Sequence, residues 1–81
     1  MNTIQEFINF IDGLNNPNIE LYELGSIDLK ILTKDIINYN SLQSWLKNKS
    51  LTDHLQKNII KAILNINPPE SVRNELLSLM L

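Results

Sequence analysis

Cysteine is absent from this 81-residue chain, and histidine occurs once. Disulfides are therefore excluded as a brace, and so are the Cys/His sets that hold structural metals. Glycine occurs only at Gly13 and Gly25, so no glycine-rich loop can cradle a phosphate. No apolar run approaches the roughly 20 residues that span a bilayer. No basic segment leads into an apolar run at Met1, so no secretory signal is expected. The absence of cysteine fits a reducing cytosol at least as well as secretion, and a cytoplasmic location is expected.

Positive charge is missing from the first third. Residues 1–29 carry Glu6, Asp12, Glu20, Glu23 and Asp28 but no Lys or Arg. Residues 30–61 then hold six lysines against Asp35 and Asp53, for a net charge of −2 over the chain. Such a division lets the two parts attract each other, or offers a basic surface to an acidic partner.

What is plentiful is leucine and isoleucine. A chain this short is expected to form one small domain over 1–81, burying roughly 60–65% of its extended surface. Its stability must come from aliphatic packing. Thr3-Ile4-Gln5-Glu6 has capping-box spacing, and Ile4, Phe7, Ile8, Ile11 and Leu14 follow at helical intervals. The spacing predicts a helix over about 3–14, ended by Gly13 to Pro17. Ser41 is placed to cap a short helix bearing Leu42, Trp45 and Leu46. Ser50-Leu51-Thr52-Asp53 offers two possible caps for a helix over about 52–65, with Leu55, Ile59, Ala62, Ile63 and Ile66 on one stripe. Asn67-Pro68-Pro69-Glu70 reads as a cap followed by proline at the first helical position. Val72, Leu76, Leu79 and Met80 form the last stripe.

Residues 19–32, IELYELGSIDLKIL, are ambiguous. Ile27, Leu29 and Ile31 alternate with polar residues, as a half-buried strand requires. Gly25-Ser26 suits a two-residue type II′ turn. That turn would set Leu24 opposite Ile27 and Tyr22 opposite Leu29. The alternative is helical, with Ser26 as a cap and Leu29, Leu32, Ile36 and Tyr39 on one side. The expected architecture is mainly α: a bundle of about four helices with one hairpin near 19–32 after the first. An all-α bundle of four or five helices is the alternative.

Four features bear on function. The last helix has surplus apolar surface, so Leu76, Leu77, Met80 and Leu81 are candidate contacts for a partner protein or a second copy. The strand Ile19 to Leu21 offers an edge to which a partner can add a strand. Lys47, Lys49, His54, Lys57, Asn58 and Lys61 resemble the polar face of a helix-turn-helix reader. Nucleic acid is nevertheless the weaker expectation, since the overall balance is not basic and aromatics do not interleave with the lysines. His54 follows Asp53, but neighbours on a helix point apart, and no nucleophile motif flanks any serine. No catalytic residue, cofactor or metal is expected.

Leu24-Gly25-Ser26-Ile27-Asp28-Leu29 resembles the attachment site of acyl carrier proteins, where a serine at a helix start holds a phosphopantetheine arm. The resemblance implies modification at Ser26. It departs at Gly25, where the family has aspartate, and at Lys30 and Lys34, where the family is acidic. The order helix, hairpin, helices is similar in outline to docking domains at the N-termini of nonribosomal peptide and polyketide synthase subunits. Ile19-Glu20-Leu21 and Leu51 to Leu55 would be the corresponding parts, with 33–50 as an insertion. That resemblance implies capture of a partner's tail on the hairpin edge. The expected role is thus a non-catalytic protein-protein interaction module, whether regulatory, inhibitory or docking.

Overall fold

A computed structural model describes residues 2–21 and 24–81. Each helix in it begins where the local chemistry ends an extended segment. Helix α1 (Thr3–Asp12) is capped by Asn2, whose side chain accepts from the Ile4 N–H at 2.9 Å. The cap is one residue earlier than the capping box suggests. Glu6 is drawn elsewhere, because its carboxylate accepts from the Ser71 hydroxyl. Ile4, Phe7 and Ile11 form the buried face of α1.

A hairpin follows, of β1 (Asn18–Leu21) and β2 (Gly25–Asp28). The two are antiparallel, with Ile19 opposite Ile27 and Leu21 opposite Gly25. This corrects the expected register. Leu24 does not face Ile27, and Leu29 is already helical; Tyr22 lies outside the described residues. The Leu24 N–H donates to the Leu21 carbonyl at 3.1 Å, and Gly25 follows at φ +80°. Glycine does supply a positive φ here, but as the strand residue paired with Leu21 and not as the first residue of a two-residue loop.

The second strand stops at Asp28 because its side chain accepts from the Lys30 N–H at 2.9 Å, starting α2 (Leu29–Ile36). The alternation of Ile27, Leu29 and Ile31 is therefore split between a strand and a helix. Helix α3 (Leu42–Asn48) is capped by Ser41, and α4 (Asp53–Asn65) by Thr52, as their sequences suggest. On α4 the buried face holds Ile59, Ile60 and Ile63. It is turned from the expected stripe, with Ile60 inside and Leu55 only partly covered. Helix α5 (Glu70–Ser78) has Pro69 at its cap and no side-chain cap bond. Asn67 is not that cap. It takes φ +60°, and its side chain accepts from the Arg73 guanidinium at 2.8 Å.

The result is mainly helical with one hairpin after α1, in five helices rather than about four. Phe7, Leu29, Ile36, Leu42, Leu46, Ile60, Ile63 and Leu76 are fully buried at its centre. Helix α5 closes the core against α1 and α3. Its Glu75 accepts from the Gln43 N–H at 3.1 Å, and its Ser78 from the Gln43 amide at 2.8 Å. The radius of gyration is 11.6 Å, close to the ~11.7 Å of a well-packed chain of this length.

Two backbone positions give opposite expectations. A Cβ on Gly25 would meet nothing within 4 Å, so Gly25→Ala suffers only from its left-handed backbone. It should destabilise by about 1–2 kcal/mol. Ser50 holds φ +53° after α3, and Ser50→Gly should stabilise by about 0.5–1 kcal/mol once the added chain entropy is subtracted. Urea midpoints of the two variants, moving in opposite directions, check this.

Candidate functional site

The hairpin has two unlike faces. Asn18, Glu20 and Ser26 are exposed, while Ile19 and Leu21 are 4% exposed and Ile27 is half-buried. The alternation of a strand forces this division. The inward face does not close completely on the helices below. Between Ile19, Leu21 and Ile27 of the hairpin, Leu32 of α2, Trp45 of α3 and Ile59 of α4 lies a cleft of about 140 Å³. Lys49 and Leu51, in the link from α3 to α4, complete its wall. Its size is close to a cavity that takes one benzene-sized group, about 150 Å³.

One carboxylate ties two of these wall residues. Asp35 Oδ2 accepts from the Trp45 indole N–H at 2.9 Å and meets the Lys49 ammonium at 2.6 Å. The Lys49 bond first, and the Trp45 bond second, hold the Asp35 carboxyl below its ordinary value of 3.8. Asp35 in turn raises Lys49 above 10.5. The sign follows from linkage. A depressed carboxyl pKa stabilises the fold above about pH 3.8, and that contribution disappears as pH falls through the folded value. Wild type should therefore exceed Asp35→Asn in stability at neutral pH, with the gap closing in acid. The gap is small, because the pair is 40% exposed on both sides. Urea unfolding of both proteins between pH 7 and pH 2 measures it.

No family model, curated protein or solved structure matches the chain. Function rests on what these side chains can do.

The residues singled out in the sequence fall in three places. Ile19 and Leu21 turn their side chains to the cleft, on a strand paired on one side only, with β2. Leu76 is fully buried in the core, so it is not a surface contact. Its neighbour Leu77 is 44% exposed, Leu81 is fully exposed, and Met80 is half-buried. Of the basic set, His54, Lys57, Asn58 and Lys61 share α4, while Lys47 and Lys49 lie apart from them. Lys49 belongs to the cleft, Lys57 pairs with Asp53 at 3.0 Å, and Lys47 is exposed on α3. The Asn58 amide lies 3.5 Å from the His54 ring. Asn58 and Lys61 border a shallow depression that Glu20 also lines. Acidic groups thus interrupt the face that would have to meet a phosphate backbone.

Ser26 sits exposed on β2, opposite Glu20, and the next helix begins at Leu29. The helix-start setting of an acyl carrier serine is not found there. Among the described residues no group of three or more His, Asp or Glu side chains is placed to hold a metal. None of their helices is long and apolar enough to cross a membrane.

Sequence reasoning missed Trp45, Lys49, Leu51, Ile27, Leu32 and Ile59 as members of one site. They come from a strand, three helices and a link, so no local spacing joins them.

Proposed function

We propose that this chain is a non-catalytic protein-interaction module that receives an uncharged aliphatic or aromatic side chain of a partner protein. The observation that carries the reading is the cleft under the hairpin. Apolar side chains on five elements and one link leave a space of about 140 Å³ unfilled. The lysine at its wall already has its charge met by Asp35. An apolar guest gains roughly 25 cal/mol for each Å² it removes from water there. A charged guest would find no unspent partner in the wall. The hairpin beside it can add main-chain hydrogen bonds to an extended segment.

Exposed Leu77 and Leu81 support a second contact surface on α5, for a partner or another copy of the chain. Light scattering over a concentration series, on wild type and on a Leu77→Asp, Leu81→Asp variant, tests that surface. Self-association in wild type alone supports it, and monomers throughout remove it.

The cleft is tested by selecting displayed random peptides on the folded protein. Enriched peptides should share one large apolar residue. They should shift the emission of Trp45, the sole tryptophan and a wall residue. Leu51→Trp fills the cleft from its half-buried rim and should abolish their binding. Peptides that bind Leu51→Trp as well as wild type would sink the proposal.

A further inference from the structure

We propose that Lys49 is a latch across the mouth of the cleft, held shut by Asp35; this rests on reading the cleft as the binding site. Of the residues lining it, Lys49 alone is exposed; the others are buried or half-buried. The lysine is therefore the lining residue most open to solvent, on the side from which a guest can approach. Its backbone is fixed, since its N–H donates to the Leu46 carbonyl at 3.2 Å at the end of α3. Lys49 lines the cleft, yet its ammonium is engaged by a carboxylate outside the lining, the division between apolar stem and charged head that long cationic side chains allow. The head is caught at 2.6 Å by Asp35 on α2. A strap thus joins the end of one helix to another helix, beside an apolar hole.

Asp35 does a second thing. The same oxygen holds the indole of Trp45, so one carboxylate fixes both a wall and the strap. A guest that lifts Lys49 leaves Asp35 still paired with Trp45, so the wall stays in place. The strap itself opens easily. An ion pair this exposed is worth at most about a fivefold bias toward closure. Screening at 1 M salt, where the Debye length is about 3 Å, weakens it further. The device favours guests that gain more from the cleft than the latch withholds.

The test reads the latch without any partner. Acrylamide, a neutral quencher, reports access to Trp45 in wild type, Lys49→Ala and Lys49→Arg, each checked for folding by circular dichroism. Lys49→Ala should raise the quenching constant by up to about fivefold, the factor the latch is worth. Wild type should rise with salt, Lys49→Ala should not, and Lys49→Arg should behave as wild type. Equal quenching in wild type and Lys49→Ala at both salts overturns the latch. Toluene is then titrated while the methyl resonances of Ile19 and Ile59 are followed. Saturable shifts, stronger in Lys49→Ala, support latch and docking site together. Increased quenching with unmoved methyls keeps the latch and defeats the docking site. Equal toluene binding with equal quenching does the reverse.

Discussion

Phe7→Ala should cost about 3–5 kcal/mol, as loss of a wholly buried aromatic does. Phe7 is 0% exposed on the inner face of α1. The whole fold, at roughly 0.05–0.15 kcal/mol per residue, has only about 4–12 kcal/mol to lose. A domain this small has few neighbours that can slide into the hole, and no disulfide or metal holds it together meanwhile. With a urea slope near 1 kcal/mol per molar, the midpoint should fall by about 3 M or more. At the lower end of the stability range the folded baseline vanishes altogether. Phe10 provides the control. It sits three residues on, only half-buried, and Phe10→Ala should move the midpoint much less. Equal effects at the two positions would mean that α1 is rotated from the face described.

That contrast was legible in the sequence, because α1 is amphipathic and short-range spacing decides which face of such a helix is buried. The same holds for α3, and the hydroxyl caps Ser41 and Thr52 stand where α3 and α4 begin, although the buried face of α4 is turned toward Ile60. Boundaries failed where two local devices competed. Asn2 and Thr3 are both good caps, and Asn2 prevails as Glu6 turns to Ser71 on α5. That is a partner 65 residues away, invisible to any spacing rule. Asn67 has the composition of a cap, yet it ends the segment after α4 and binds Arg73. The cleft was the least legible feature. Trp45 and Ile59 each looked like core residues, and Lys49 looked like part of a basic face. Only the meeting of the hairpin with three helices makes them one wall, and only Asp35, ten residues before Trp45, fixes the tryptophan and the lysine together.

As a strand, Ile27, Leu29 and Ile31 share one face, and truncating Leu29 or Ile31 would cost similar amounts. In the fold the chain turns helical at Leu29, and successive residues then diverge by 100° about an axis instead of alternating. Leu29 becomes 0% exposed while Ile31 is left 65% exposed. Leu29→Ala should therefore cost about 2–5 kcal/mol, the range for a buried leucine. Its N–H bond to the Pro17 carbonyl, at 3.0 Å, is untouched by the change, so the loss is one of packing. Ile31→Ala should stay within about 0.5 kcal/mol of wild type. It can even stabilise, since alanine is the better helix former by several tenths of a kcal/mol. Urea unfolding of the two variants separates the architectures directly. Comparable losses at 29 and 31 would restore the strand and remove α2's first turn. With it would go the Asp28 cap that ends the hairpin and sets Leu32 against the cleft.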